Sequence, residues 1–264
     1  MVALYVVAAL GFYVFQRDLL YFPSPIYTPP GAAKAPAALR ELTVRTEDGL
    51  DLKGWYAPAS GKTLTIVYFH GNGDSLVSAA PVAAPYIAAG YGFLVAEYRG
   101  YSGMPGRPTE VGLYADGRAY LKSLIQSGVG EGDIVVFGYS LGTGVATRMA
   151  TEFQLRGVIL FAPFLSIAKL AQDKFAFFPA ALRRDRFDNA GRIYSIHVPI
   201  LIANGDLDRA VPPAQGRELF ARANPPKTSL FLTNAGHGDV MLPAFTNLSL
   251  SWLDALSAGV SAIR

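Results

Sequence analysis

Apolar residues along the chain gather in short, nearly unbroken runs. Leu64–Phe69, Gly92–Glu97, Ile134–Gly138, Gly157–Phe161, Ile200–Asn204 and Ser229–Thr233 are the clearest. Runs of this kind suit strands of a parallel sheet with both faces covered. Between them, about Val77–Ala89, Thr109–Ser127, Leu141–Glu152, Pro213–Ala223 and Val240–Ser257 read as helices. Upstream, Leu42–Thr46 and Leu50–Tyr56 flank Glu47-Asp48-Gly49, which signals a hairpin. Strand and helix alternate without an internal repeat. The pattern predicts an α/β fold with a mostly parallel central sheet flanked by helices. The domain is expected over residues 40–264, after an apolar N-terminal helix and a Pro/Ala-rich connector over residues 1–39.

One stretch breaks the alternation. From Phe161 to Ile200 no clear strand appears. The stretch holds Phe164, Phe175, Phe177 and Phe178 and the charged cluster Arg183-Arg184-Asp185-Arg186. Long excursions over the carboxyl edge of a sheet often form lids. A small cap is expected at about 163–198, with those four phenylalanines as candidate pocket wall. The same phenylalanines also suit a plain core.

The first fifteen residues carry no charge and no proline. The run is shorter than the roughly 20 residues that span a bilayer. It also lacks the basic start of a signal peptide. Being uniformly apolar without an amphipathic stripe, it is read as a membrane-associating segment of undetermined side. A helix packed on the protein body is the other reading. Tyr21, Phe22 and Tyr27 follow among prolines, as interfacial aromatics or as packing residues.

Composition narrows the function. Of 264 residues 51% are hydrophobic and 16% charged, which excludes a disordered chain. The net charge of +3, with no long basic run, gives no footprint for a nucleic acid. With no cysteine there is no disulfide, thiolate metal site or cysteine nucleophile.

The sharpest chemical signal is Gly138-Tyr139-Ser140-Leu141-Gly142, between a predicted strand and a predicted helix. That context defines a nucleophile elbow, a tight turn that lifts the serine hydroxyl above the sheet edge. A dinucleotide-binding reading fails, because counting from Gly142 the sixth position is Thr147. A serine at neutral pH needs a base, and the base needs an orienting carboxylate. The histidines are His70, His197 and His237. In the serine–acid–histidine order that accompanies this elbow the base comes last, which selects His237. Asp206 and Asp208 share a loop after Ile200–Asn204, and spacing alone does not separate them. Phe69-His70-Gly71-Asn72-Gly73 ends another strand. The backbone N–H groups of Asn72 and Leu141 are the candidate oxyanion donors. His70 is expected to pack beside this loop, and His197 has no assigned chemistry.

These residues together resemble an α/β-hydrolase-fold serine hydrolase over about Leu42 to Leu256. The resemblance rests on His70-Gly71-Asn72, Tyr98-Arg99-Gly100-Tyr101-Ser102, the serine elbow, Gly205-Asp206-Leu207-Asp208-Arg209-Ala210-Val211-Pro212 and Gly236-His237. More narrowly the chain is similar to small-cap members with an N-terminal membrane anchor. Their Tyr-Phe-Pro stretch matches Tyr21-Phe22-Pro23, and Arg184-Asp185-Arg186-Phe187-Asp188 resembles their cap. The resemblance implies Asp208 as the acid, because Asp206 does not fit the Gly-x-x-Asp-x-x-Val-Pro pattern. The chain departs from many relatives at Asp74, where they carry a second glycine. A carboxylate pointing inward there would disfavour anionic substrates.

The expectation is a serine carboxylesterase acting on short- to medium-chain acyl esters, a small-molecule substrate, with no cofactor and no metal. Two other readings are a membrane-associated acyl-thioesterase or lipase-like enzyme and an inactive, membrane-anchored interaction protein.

Overall fold

The computed structural model describes residues 2–174 and 184–259. Helix α1 (Val2–Leu20) leads into an extended connector. β1 (Arg40–Arg45) and β2 (Asp51–Ala57) pair antiparallel as the hairpin, with Arg45 opposite Asp51. The chain then alternates through β3 (Thr65–Phe69), α2 (Leu76–Ala88), β4 (Gly92–Ala96), α3 (Glu110–Gln126), β5 (Ile134–Tyr139), α4 (Leu141–Ala150) and β6 (Gly157–Phe161). It continues through α5 (Ile167–Lys174), α6 (Asn189–Arg192), β7 (Ile200–Gly205), α7 (Pro213–Arg222), β8 (Lys227–Leu232) and α8 (Pro243–Ser257).

The eight strands of the described residues join one sheet in the order β1-β2-β4-β3-β5-β6-β7-β8. β2 pairs antiparallel with β4, and every pairing from β4 through β8 is parallel. Side chains along each central strand alternate between two cores. On β5, Ile134 and Val136 face one core while Val135 and Phe137 face the other. The first core takes Leu113 of α3, Val145 of α4 and Leu219 of α7. The second takes Tyr86 of α2 and Trp252 of α8. Covered faces explain why the strands read as unbroken apolar runs rather than as alternation.

The order of the sheet fixes where a site can form. After β3 the chain moves to one side for β4, then crosses back for β5 on the other side. The carboxyl ends of β3 and β5 therefore flank a topological switch point, where α/β sheets bind ligands. The register places Phe69 of β3 beside Gly138 of β5.

The expected cap region is partly described. Asn189 ties it to α4, accepting from Thr147 Oγ1 at 2.6 Å and donating to the Phe164 carbonyl at 2.9 Å. Phe175, Phe177 and Phe178 lie outside the described residues.

Among the described residues no helix is long and apolar enough to cross a membrane. The anchor expected from the first fifteen residues is therefore not supported as a span. The end of α1 is seated on the body. Arg17 Nε and Nη2 donate to Asp185 at 2.7 and 2.9 Å, and Gln16 Oε1 accepts from the Arg184 N–H at 2.8 Å.

Candidate active site

β5 ends at Tyr139, and α4 begins two residues later. Ser140 takes φ 49° and ψ −114°, a backbone conformation that L-residues avoid. The turn is held by the Ser140 N–H donating to the Phe161 carbonyl at 3.0 Å. Gly142 shows why the elbow needs glycine. A Cβ there would stand 1.9 Å from the carbonyl oxygen of Phe69, so the start of α4 lies directly against the end of β3.

Three residues from three separate loops meet above this turn. His237 Nε2 lies 2.9 Å from Ser140 Oγ, and His237 Nδ1 lies 2.7 Å from Asp208 Oδ2. Asp208 Oδ1 accepts the N–H groups of Ala210 and Val211, each at 2.8 Å. Its Oδ2 also accepts from Asn204 Nδ2 at 3.3 Å. Asp206 is elsewhere, on Arg217 Nη2 at 2.7 Å. Geometry thus separates two aspartates that spacing leaves equivalent. Tyr139 supports the histidine from below. Its hydroxyl donates to the His237 carbonyl at 2.9 Å, and its ring lies 5.3 Å from the imidazole.

The turn after β3 stands beside the elbow. His70 is fully buried, with Nε2 2.6 Å from Glu97 Oε1 and Nδ1 2.9 Å from the Gly71 carbonyl. Both ring nitrogens face acceptors, which only an imidazolium can satisfy by donation. Burial opposes that charge, but the adjacent Glu97 carboxylate outweighs it and raises the His70 pKa. Glu97 is equally buried and also accepts from Ser102 Oγ at 2.5 Å and from the Tyr98 N–H at 3.0 Å. His70 therefore does more than pack beside the loop. It fixes the Gly71 carbonyl, and so the peptide unit that carries the Asn72 N–H. Asp74 caps the same turn, accepting from the Gly71 N–H at 3.1 Å and from Ser78 Oγ at 3.2 Å.

Phe164 is buried in the core at 1% exposure. His197 is exposed and lies 3.4 Å from Asn224 Nδ2.

Residues 62–188 match the family model described as serine aminopeptidase, S33. The chain is 36% identical over 248 residues to an uncharacterized protein of Mycobacterium tuberculosis, covering 90% of this chain and 87% of that one. It is 31% identical over 186 residues to human alpha/beta hydrolase domain-containing protein 17B, covering 67% of this chain and 62% of that protein. The chain has the α/β-hydrolase fold, and its central residues match a hydrolase family model. The fold of this α/β hydrolase is also that of a Pyrococcus furiosus esterase. The two share 20% identity and a TM-score of 0.69, over 89% of this chain and 94% of the other.

Sequence reasoning passed over three side chains of this hydrolase: Glu97, Tyr139 and the carboxamide of Asn72. Glu97 had a signal. A glutamate closing an otherwise apolar strand is almost never buried without a partner, and His70 ends the neighbouring strand. The Asn72 side chain had none, since its partners are two backbone groups some fifty positions earlier and the hydroxyl of Tyr101, all distant along the chain.

Proposed function

We propose that this hydrolase is a serine carboxylesterase for short- to medium-chain acyl esters. The observation that carries the reading is the hydrogen-bonded line Ser140–His237–Asp208. Ser140 Oγ attacks the ester carbonyl while His237 Nε2 takes its proton. Asp208 holds the imidazole in the tautomer that leaves Nε2 free to accept, and stabilises the imidazolium that follows. The N–H groups of Asn72 and Leu141 take the negative oxygen of the tetrahedral intermediate. Neither donates to a partner within the described chain. The Leu141 amide also opens α4, where the helix dipole favours negative charge. Collapse protonates and expels the alcohol, leaving an acyl–serine ester. Water, deprotonated by His237, then releases the acid.

An acyl-thioesterase at a lipid surface is the second reading. It is favoured by exposed Leu10, Val14, Phe15 and Leu19 on α1 and by exposed Phe22 next to the site. A rate series on p-nitrophenyl esters from acetate to palmitate, with Ser140→Ala as reference, separates the two. Fast cleavage of short esters that fades with length supports the carboxylesterase. A maximum at long chains, or faster cleavage of long acyl thioesters, moves the assignment to the second reading. Equal rates in Ser140→Ala refute both and favour a non-catalytic interaction protein.

A further inference from the structure

The N-terminal segment reaches the candidate oxyanion turn through one side chain. Asn72 Oδ1 accepts from the Phe22 N–H at 2.9 Å and from the Tyr101 hydroxyl at 2.7 Å. Asn72 Nδ2 donates to the Leu20 carbonyl at 2.5 Å. The carboxamide thus joins the backbone on either side of Tyr21 as a peptide group joins a neighbouring strand. Tyr21 itself is buried. The same stretch of chain is fastened at its other end, where Arg17 meets Asp185 in the expected cap region. One element therefore touches the oxyanion turn and the cap region.

Within the turn itself Asp74 restrains only the Gly71 end, its Oδ2 accepting the Gly71 N–H at 3.1 Å and its own N–H donating to the Gly71 carbonyl at 3.3 Å. Gly71 and Gly73 flank Asn72, and Gly73 sits at φ +79° with nothing near the position of a Cβ. Glycines leave the adjoining peptides free to rotate. Two fastenings remove that freedom. His70 holds the Gly71 carbonyl, and the Asn72 side chain holds the residue whose N–H is the proposed oxyanion donor. Because side chain and amide share one Cα, rotating the residue to release one moves the other.

We propose that the Asn72 carboxamide is a positioning residue for the oxyanion amide, so that seating Leu20–Phe22 is part of assembling the catalytic centre. This rests on the serine-hydrolase reading above. Its chemical content is that an N–H aimed beforehand stabilises the transition state more than the bound ester.

The test uses the full chain with Asn72→Ala, Asn72→Asp and Tyr101→Phe. Alanine keeps the backbone N–H and removes all three bonds. Aspartate keeps both acceptor bonds but sets an oxygen against the Leu20 carbonyl. Two activities are read on protein shown to be folded by thermal melting. They are kcat and KM for p-nitrophenyl butyrate, and the rate at which a fluorophosphonate labels Ser140. In Asn72→Ala and Asn72→Asp, kcat and labelling rate fall together by about tenfold or more while KM stays within about threefold. In Tyr101→Phe both fall about threefold, the equivalent of one neutral hydrogen bond. A lower melting temperature with unchanged kcat in folded Asn72→Ala gives the side chain a purely structural role and overturns the proposal. If Asn72→Ala does not fold, unchanged kcat in Tyr101→Phe overturns it instead. Absence of labelling in the unsubstituted protein overturns the serine-hydrolase reading, and the proposal with it. Labelling that is equal in all variants overturns the proposal alone.

Discussion

Replacing Asp208 by Asn tests the proposed relay at its least exposed point. The carboxylate accepts four hydrogen bonds. Two come from backbone amides at 2.8 Å, one from His237 at 2.7 Å and one from Asn204 at 3.3 Å. A carboxamide can face these donors in two ways. With its NH2 toward Ala210 and Val211 it loses two short backbone bonds, at about 1–3 kcal/mol for each donor left unpaired. With its NH2 toward His237 it keeps both and loses only the long bond from Asn204, so this orientation wins. His237 Nδ1 must then accept, and the proton moves to Nε2. That N–H points at Ser140 Oγ, and the imidazole has no lone pair left for the serine proton. The same exchange in a serine protease lowers turnover about 10⁴-fold, which is about 5 kcal/mol of barrier. Only about 1–2 kcal/mol of folding stability should go with it. The assay is kcat/KM on a short p-nitrophenyl ester together with thermal melting, with Asp206→Asn alongside. Asp206 sits in a partly exposed pair with Arg217, so its loss should leave rate within about twofold and stability within about 1 kcal/mol. Activity within tenfold of the original in a folded Asp208→Asn protein would refute the orienting role.

Three further outcomes follow from the geometry. Gly142→Ala drives a methyl into the Phe69 carbonyl, so soluble yield should collapse or stability fall by about 3 kcal/mol or more, read by urea unfolding. The His70–Glu97 pair sets a pH dependence. The folded His70 pKa lies above the unfolded value of about 6.5. Its stabilisation is therefore complete below about pH 6.5 and is lost as pH rises through the higher folded value. The melting-temperature gap between the original protein and Glu97→Gln should accordingly shrink at alkaline pH, and a gap that stays constant counts against the pair. Arg17→Ala leaves the buried Asp185 carboxylate with the Glu110 N–H, and melting should register about 1–2 kcal/mol after allowance for the partial exposure of Arg17.

The parts legible in the sequence were those written in local periodicity. Strand runs such as Ile134–Gly138 are unbroken because both faces are covered, and that same fact identified the parallel sheet. The elbow was legible because the glycines around Ser140 answer a steric demand visible within five residues. What stayed hidden depends on contacts between distant segments. Spacing alone did not choose between Asp206 and Asp208; the family resemblance named Asp208, and the physical reason is that the loop turns this carboxylate inward onto His237. Residues 1–15 read as uniformly apolar, yet the helix runs on through Gln16 and Arg17, which anchor it to residues 184 and 185. No window of neighbouring residues contains that information. The start of α8 was also misplaced. Pro243 begins the helix, and Asp239–Met241 forms a separate short turn after His237.

The pairing of Phe69 with Gly138 has a consequence for how this enzyme could be altered. The nucleophile and the turn that carries the candidate oxyanion amide hang from two hydrogen-bonded strands, so the sheet brings them side by side and the fastenings of His70 and Asn72 set the final aim. Chemistry and selectivity are thereby lodged in different parts of the chain. The segment between the end of β6 and the start of β7 can be exchanged between relatives, changing what enters the site, while Ser140 and the β3 turn stay with the β3–β5 pair and Asp208 and His237 stay with the loops after β7 and β8. Chimeras cut at those strand ends should inherit the donor's substrate range and the recipient's turnover chemistry.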